Sequence, residues 1–219
     1  MTTPLWLTRI IPDPQNQQAR RDFRNAVELH YRVMKLFPDD IGDQARKQLG
    51  ILFRTETTPQ GTYLLLQSRT HPNLDSLPTG YGSADTRPLT PLLDALRPGL
   101  PVRYRIDASA VRKPRKTTQQ LYGLKSIVAL TGPAAIEWWE RQAEQAGLKL
   151  NTIHTAPLDP ATGIKAQDKQ RIHNPRTRFD GDAVIHDPDL VRQRIEEGIG
   201  RGKAYGCGLL SLSPTRTAS

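Results

Sequence analysis

The apolar positions in the first hundred residues recur at the spacings of short strands and amphipathic helices. Apolar side chains repeat every three or four residues from 18 to 36, which predicts one helix that ends before Pro38. A stretch rich in Pro, Gly, Ser and Thr at 70–91 is predicted to be a loop, and 97–101 is predicted to be a domain boundary. The other elements predicted in this half are strands at 5–11, 49–56 and 62–69 and a short helix at 90–96.

The second half of the chain shows a similar alternation. The predicted elements are strands at 102–108, 148–155, 177–185 and 208–212 and helices at 133–147 and 188–198. Residues 112–118 are predicted to form a polar, basic hairpin or loop, and 159–174 a flexible loop. Each half thus contains a strand, a helix, a pair of strands and further helix and strand elements. This order predicts an α+β protein with two tandem ferredoxin-like (RRM-like) βαββαβ domains, at 1–97 and 102–219, although the fourth strand of the first half is hard to see.

The charge of the chain indicates the kind of partner that it binds. The 219 residues include 31 Lys and Arg against 22 Asp and Glu, a net charge of +9. Residues 1–100 carry 12 basic and 10 acidic side chains, whereas residues 101–219 carry 19 and 12. A basic excess concentrated in one half of a chain favours a polyanionic partner for that half.

Composition also excludes several classes of protein. No apolar run reaches the roughly 20 residues of a membrane span. Residues 1–11 lack the succession of basic, apolar and small-residue regions that a signal peptide has. The single cysteine, Cys207, excludes an internal disulfide and a zinc site with several cysteines. We therefore expect a soluble, cytoplasmic protein.

Two runs of basic residues account for most of the excess charge. The first run consists of Arg103, Arg105, Arg112, Lys113, Arg115, Lys116 and Lys125. The second run consists of Lys165, Lys169, Arg171, Arg176 and Arg178, with His173 among them. Arg103 and Arg105 alternate with apolar residues in a predicted strand, so both lie on the face away from the core. A single run is as readily a solvated surface as a binding site, but two in one small domain favour nucleic acid.

A glycine-rich segment, 198–208, follows the last predicted helix. Glycines at 198, 200, 202, 206 and 208 surround Arg201 and Lys203, which suits a backbone that approaches phosphates closely. The spacing is not that of a P-loop, which needs four residues before Gly-Lys and Ser or Thr after it. A dinucleotide-binding unit is excluded because only 11 residues follow Gly208. A flexible loop without a ligand is the alternative.

The same segment resembles a known family. From Gly198 to Pro214 the chain reads Gly-Ile-Gly-Arg-Gly-Lys-Ala-Tyr-Gly-Cys-Gly-Leu-Leu-Ser-Leu-Ser-Pro, which resembles the C-terminal signature of the CRISPR repeat-processing endoribonucleases of the CasE type. Weaker matches follow in order along the chain, at Leu5-Trp6-Leu7-Thr8-Arg9, Glu28-Leu29-His30, Leu64-Leu65-Leu66-Gln67-Ser68 and Arg103-Tyr104-Arg105.

The resemblance implies an endoribonuclease that needs neither metal nor cofactor. It implies cleavage of CRISPR precursor RNA at the base of the repeat stem-loop, by attack of the 2′-hydroxyl next to the scissile phosphate. The products would be a 2′,3′-cyclic phosphate and a 5′-hydroxyl, and the mature crRNA would stay bound in Cascade with other subunits. The alternatives are a non-catalytic RNA-hairpin-binding protein of the same fold and an unrelated nucleotide-binding enzyme that uses the glycine-rich segment.

Histidine suits the proton transfers of this reaction because its ordinary pKa lies near 6.5. The chain has five histidines, His30, His71, His154, His173 and His186. His30 lies on the apolar stripe of the first predicted helix. Position alone gives His30 only a slight lead, and a partly buried structural histidine is the alternative. The resemblance implies that His30 is the catalytic histidine.

One position departs from the family's pattern. The family commonly has a tyrosine three residues before this histidine, where the present chain has Val27. Tyr31 is adjacent in sequence but about 100° around the helix, which makes it a poor direct substitute. Lys203 and Tyr205 are the other candidates to orient the phosphate, and if no group takes this role we expect slower cleavage. We expect the catalytic residues to be His30, Lys203 and Tyr31.

The resemblance also implies which residues contact RNA. An RNA stem is recognised mainly by shape and backbone, because its deep and narrow major groove hides the base edges. We expect Arg103 and Arg105 to contact stem phosphates, and 112–116 to form the basic hairpin that family members insert at the stem. The residues expected to bind RNA are Arg103, Arg105, Arg112, Lys113, Arg115, Lys116, Lys169, Arg171, Gly200, Arg201, Gly202 and Lys203.

Overall fold

The computed structural model describes residues 4–42, 44–123 and 127–215, which form two large antiparallel sheets covered by helices and a small two-stranded sheet. The Lys125 of the first basic run lies outside these residues. Among the residues described, no helix is long and apolar enough to cross a membrane.

The first sheet has the strand order of a ferredoxin-like domain. Its strands are β1 (Trp6–Pro12), β2 (Leu52–Thr58), β3 (Gly61–Ser68) and β4 (Gly82–Pro88), in the order β2-β3-β1-β4. The prediction of a loop throughout 70–91 is wrong, because this segment contains β4. Most of its side chains are exposed, so the apolar alternation of a strand is absent, and pairing with β1 holds it at the edge. A 3-10 turn, Leu74–Ser76, stands where the second helix of the βαββαβ order is expected.

The helix predicted at 18–36 is two helices, α1 (Gln17–Arg24) and α2 (Ala26–Met34). Asn25 separates them with an extended backbone (φ −131°, ψ 113°), and its side-chain oxygen accepts hydrogen bonds from the N–H groups of Val27 and Glu28. This N-cap starts a new helix, although the apolar spacing runs on across the break. A short helix, α3 (Ala45–Gln48), leads into β2, and α4 (Thr90–Ala95) confirms the helix predicted near 90–96.

The second sheet repeats this strand order, and both sheets together confirm the predicted tandem ferredoxin-like α+β fold. The main strands lie in the order β11-β5-β10-β8, and β9 also pairs with β10. The strands are β5 (Pro101–Ala108), β6 (Val111–Arg112), β7 (Val128–Ala129), β8 (Leu148–Leu150), β9 (His154–Ile164), β10 (Arg171–Ile185) and β11 (Ser211–Pro214). The helices are α5 (Lys116–Tyr122), α6 (Pro133–Glu144) and α7 (Pro188–Glu197).

Several predictions for this half are wrong in detail. Residues 159–174 form most of the β9–β10 hairpin, because long cross-strand pairing overrides the Pro and Gly content that predicted a loop. The strand predicted at 148–155 is divided between β8 and the start of β9. The final strand begins at Ser211 because Gly208 is in the left-handed region (φ +89°). In the basic segment at 112–118, β6 pairs with β7, but α5 begins at Lys116.

A buried ion cluster joins the two domains. The Glu56 carboxylate on β2 contacts Arg54 at 2.7 Å, Arg178 at 3.0 Å and Arg105 at 3.4 Å, and the last two arginines belong to the second sheet. Arg54 also donates to the Leu209 carbonyl at 3.0 Å. These contacts join the second sheet, and the Leu209 backbone just after the glycine-rich segment, to the first domain.

Candidate active site and nucleic-acid interface

The candidate active site is centred on His30, a half-buried side chain in the second turn of α2. Val27 and Leu29 on the same helix are buried, so His30 lies at the margin of the first core. The Tyr31 and Tyr205 rings have centroids 6.0 and 6.1 Å from the imidazole. The imidazole Nδ1 is buried and has no hydrogen-bond partner in the described part of the chain. The imidazole ring is therefore packed by aromatic groups but not fixed by a polar contact.

Burial lowers the pKa of His30 below its ordinary value, and the positive charges of Arg46 and Lys165 lower it further. Both effects disfavour the imidazolium form, the first by desolvation and the second by repulsion of like charges. His30 is therefore a neutral imidazole at pH 7 and can accept a proton.

Lys203 reaches the same region from the glycine-rich segment. It begins a 3-10 turn, Lys203–Tyr205, and its Nζ donates to the carbonyl oxygen of Glu197 at 2.7 Å. Burial lowers the pKa of Lys203, and the charge of Arg46 lowers it as well. Arg46 therefore lowers the pKa of both the His30 imidazole and the Lys203 amine, and the turn that begins at Lys203 packs against α2. The structure thus brings together two predicted catalytic residues from different domains.

Arg46 was not among the predicted residues. It lies on the short helix α3, is half-buried, and donates from Nη1 to the Ile51 carbonyl at 3.1 Å. Nothing in the local sequence marks it, because its place beside His30 depends on how α3 packs after α2. Tyr205, a secondary candidate from sequence, is as close to His30 as Tyr31 is.

Glycine is required at two points of the glycine-rich segment. Gly202 has φ +75°, and a Cβ there would clash with the Asn174 side chain. A Cβ on Gly208 (φ +89°) would lie 2.8 Å from the Ile199 carbonyl oxygen. The left-handed backbone and the close packing both favour glycine, so the segment is a turn of defined conformation and not a flexible loop.

A groove of about 570 Å³ runs beside this segment. It is lined by residues that include Val111, Ile127, Arg171, His173, Arg201 and Tyr205, and we call it the basic groove. Gly202 also lines it, while Gly200 packs near Trp138. Tyr205 contacts both the groove and the His30 ring, so the groove leads to the candidate active site. Two basic regions that are far apart in sequence therefore meet at one surface.

Further predicted cations lie close in the chain to residues that line the basic groove. Arg112, Lys113, Arg115 and Lys116 are exposed on β6 and the start of α5, and Lys169 is exposed at the tip of the β9–β10 hairpin. Within the described ranges, none of these five nor Arg171 or Arg201 has a carboxylate partner within 4.0 Å. These cations are available to bind an anion.

Arg103 and Arg105 lie elsewhere. Both are exposed on one face of β5, as predicted, but Arg103 is 3.7 Å from Asp182 and Arg105 is 2.9 Å from Asp180. Arg103 precedes Ser109 of the groove by six residues, about 20 Å along an extended strand. Arg103 and Arg105 line a separate cleft of about 390 Å³ between the two sheets, where carboxylates balance the charge of both arginines.

Metal ligands are not grouped in this structure. In residues 4–42, 44–123 and 127–215, no three His, Cys, Asp or Glu side chains are placed to hold a metal ion. Cys207 is buried, accepts a hydrogen bond from Asn174, and burial raises its pKa to about 12.

Comparisons with known proteins identify the family. Residues 5–214 match the family described as CRISPR associated protein. The chain is 29% identical to the CRISPR-associated endoribonuclease Cse3 of Thermus thermophilus, over 96% of this chain and 100% of that protein. It is 27% identical to the CRISPR system Cascade subunit CasE of Escherichia coli K12, over 90% of this chain and 96% of that protein. The solved structure of T. thermophilus Cse3 bound to an RNA representing a pre-cleavage complex matches with a TM-score of 0.78 and 26% identity, over 96% of this chain and 100% of that chain. The chain therefore belongs to the CRISPR associated protein family, as a member of the CasE/Cse3 type.

Proposed function

We propose that this protein cuts CRISPR precursor RNA at the base of the repeat stem-loop and keeps the mature crRNA as a subunit of Cascade. The observation that carries the proposal is the position of the His30 ring, 6.1 Å from that of Tyr205, beside a groove lined by Arg171 and Arg201, which have no carboxylate partner in the described residues. Burial and nearby cations lower the pKa of His30, which favours the neutral imidazole. The names of the two curated relatives, an endoribonuclease and a Cascade subunit, support the same activity and assembly. Such an assembly forms in the cytoplasm, where precursor RNA is made.

The basic groove is the proposed binding surface for the stem. Arg171, Arg201 and Val111 line it, and exposed basic side chains follow Val111 along β6 and into α5. A-form RNA presents its phosphates in a regular geometry that such a surface reads without base contacts. Binding of this kind uses the charge of the second domain and leaves the chemistry to His30.

Cleavage needs a base for the ribose 2′-hydroxyl and stabilisation of the charge that develops on the phosphoryl oxygens. Neutral His30 accepts the hydroxyl proton as the 2′-oxygen bonds to phosphorus. The bond from phosphorus to the 5′-oxygen breaks, and this oxygen leaves as a 5′-hydroxyl after taking a proton from water. Lys203 and Arg46 carry the positive charges that stabilise the phosphoryl oxygens. Tyr205 lies in the groove beside His30 and orients the phosphate, a role for which Tyr31 is the other candidate.

The proposed function is tested with repeat RNA from the same genome in single-turnover cleavage with EDTA present. We expect wild type to cut once, at the base of the stem, and His30→Ala to be at least about 10²-fold slower, as for loss of a general base. His186→Ala removes an exposed histidine remote from the groove and serves as the matched control.

Two other results would contradict the proposal. Cleavage that EDTA abolishes would show that a metal ion is needed. Salt-sensitive binding without cleavage, unchanged in His30→Ala, would instead support a non-catalytic hairpin-binding protein.

A further inference from the structure

A second cavity shares Tyr205 with the basic groove. Its volume is about 310 Å³, and it is lined by residues that include Phe23, Arg24, Phe53, Asp159, Arg176 and Tyr205. We call it the aromatic pocket. Its size is within the range of about 300–1,000 Å³ that is usual for small-molecule sites.

The aromatic pocket is assembled from both domains at places where regular structure is interrupted. Phe23 and Arg24 come from the end of α1, just before the break at Asn25. Arg176 follows a shift of register between β9 and β10 at Asn174. Leu29, which precedes His30 on α2, also lines the pocket. The pocket and the candidate active site are therefore neighbours.

The walls of the aromatic pocket combine rings and cations. The Phe53 ring is buried in its floor, and Phe23 and Tyr205 are half-buried. Arg176 donates from Nε to the Asp159 carbonyl at 2.8 Å, which leaves its terminal nitrogens for a ligand. Neither Arg24 nor Arg176 has a carboxylate partner in the described parts of the chain, unlike Arg32, Arg54 and Arg178. Aromatic faces beside unpaired guanidinium groups suit a nucleotide, whose base stacks while its phosphate binds the cations.

Gly206 places the glycine-rich segment beside this pocket. Its φ of +81° favours glycine, and a Cβ there would make ordinary contacts, 3.7 Å from Arg176 Nη1 and 3.8 Å from Phe53 Cε2. The glycine-rich segment therefore serves two surfaces. Gly202 borders the basic groove, and Gly206 borders the aromatic pocket.

Resting on the proposed function, we propose that the aromatic pocket binds the base of the first unpaired nucleotide on the 3′ side of the scissile phosphate. A cut at the base of a stem leaves this nucleotide outside the helix, so turning its base into a pocket requires little unstacking. The stem occupies the basic groove, and the 3′ strand continues past Tyr205. Anchoring the next base then holds the 5′-oxygen leaving group in line with the attacking 2′-hydroxyl.

The first test compares two repeat hairpins that differ only at this nucleotide, one intact and one abasic. In single-turnover cleavage we expect wild type to cut the abasic RNA about tenfold more slowly, the scale of base–aromatic stacking. Phe23→Leu should slow the intact RNA similarly and add nothing to the loss on the abasic RNA. Phe23→Tyr, which keeps the ring, should restore the rate. Equal rates on the two RNAs, or a Phe23→Leu effect that is the same on both, would overturn the proposal.

A second test examines the phosphate contact. Arg24→Gln is expected to weaken RNA binding several-fold. Arg20→Gln, an exposed arginine on α1 outside the aromatic pocket, is the matched control and should bind as wild type does. Equal affinities for the two variants would contradict the cationic side of the proposal.

A third test needs no cleavage and separates this proposal from the proposed function. 2-Aminopurine replaces the base in question, in an RNA whose attacking nucleotide is 2′-deoxy. We expect its fluorescence to fall at least about twofold on binding wild type, because stacking quenches it, and to stay unchanged with Phe23→Leu. Quenching by a protein that fails to cut ordinary RNA would support the pocket and reject the endoribonuclease. Cleavage without quenching would reject the pocket alone.

Discussion

At the scale of the residue, His30 is kept neutral by its surroundings. Burial lowers its pKa, and Arg46 and Lys165 add to the effect. An RNA phosphate bound beside it brings a negative charge that offsets these cations, so the imidazolium formed by proton transfer is stabilised only when substrate is present. The same cations that disfavour protonation in the free protein therefore favour the reaction in the complex.

The pH dependence of cleavage follows from this pKa. A base must be neutral in the free enzyme, so kcat/KM should level off at high pH and fall along an acid limb whose midpoint lies below 6.5, the ordinary pKa of histidine. Arg46→Gln removes a charge that lowers this pKa, so its acid limb should move to higher pH. The measurement is single-turnover cleavage from pH 4.5 to 8.

Arg20→Gln removes an exposed charge elsewhere and should leave the acid limb in place. A wild-type rate that already falls between pH 8 and 7 would contradict the neutral imidazole, and so would an Arg46→Gln profile that overlays that of wild type.

Sequence predicts part of this site for identifiable reasons. His30 is the candidate because an apolar stripe and a family resemblance coincide there, and its catalytic role stays a prediction. Arg46 is missed because a four-residue helix has no amphipathic pattern to place its side chain. Arg103 and Arg105 are correctly placed on an outer face, but their carboxylate partners lie on β10, about 75 residues away. Pairing over such separations leaves no local signal.

At the scale of the element, the glycine-rich segment positions Lys203 and Tyr205. Its turn depends on left-handed backbone at Gly202 and on room beside Asn174. Moving this turn displaces the groove wall and the Tyr205 ring beside His30 together.

Gly202→Ala is expected to weaken RNA binding and slow cleavage, because the new Cβ clashes with Asn174. Its stability should fall by about 1–2 kcal/mol from left-handed strain alone. Gly99→Ala is the matched control, since Gly99 has φ +78° with no atom within 4 Å of the new Cβ. It should lose the same conformational free energy in denaturant unfolding yet bind RNA normally. Normal binding by Gly202→Ala would show that the turn is not part of the interface.

Elements with strong local patterns were predicted best. Pro188 after the Asp187 cap marks the start of α7, and the alternation in 102–108 marks β5. The break at Asn25 was hidden because the apolar spacing continues through it. β4 was not predicted because pairing with β1, and not its composition, holds it in the sheet. The β9–β10 hairpin was not predicted because its long cross-strand pairing, and not its composition, holds it together.

At the scale of the whole molecule, the Glu56 cluster holds the two domains together. Glu56→Gln would leave Arg54 buried without its charge partner, which we expect to destabilise the protein by about 3–5 kcal/mol. Asp85→Asn is the control, because its ion pair with Arg87 is exposed and contributes at most about 1 kcal/mol. Urea unfolding of the full chain measures both, and equal losses would contradict a role for the cluster in joining the domains.

Among the described residues, some arginines have a carboxylate partner and others have none. The salt dependence of RNA binding distinguishes the two groups. Arg171→Gln should reduce the slope of log affinity against log salt by about 1, as for one lost phosphate contact. Arg141→Gln, exposed on α6 outside the groove, should not change it. Arg103→Gln should change the slope less than Arg171→Gln does, because Asp182 competes for its guanidinium. A larger change for Arg103 would place the stem on the cleft between the sheets.

The central claim is that a neutral His30 activates the ribose 2′-hydroxyl of a repeat hairpin held in the basic groove. The most direct measurement is cleavage of two otherwise identical repeat RNAs in EDTA, one with a 2′-deoxy nucleotide immediately before the cut. The account predicts equal affinities, no cleavage of the deoxy RNA, and a 2′,3′-cyclic phosphate on the ordinary product. Cleavage of the deoxy RNA at the normal rate would contradict it.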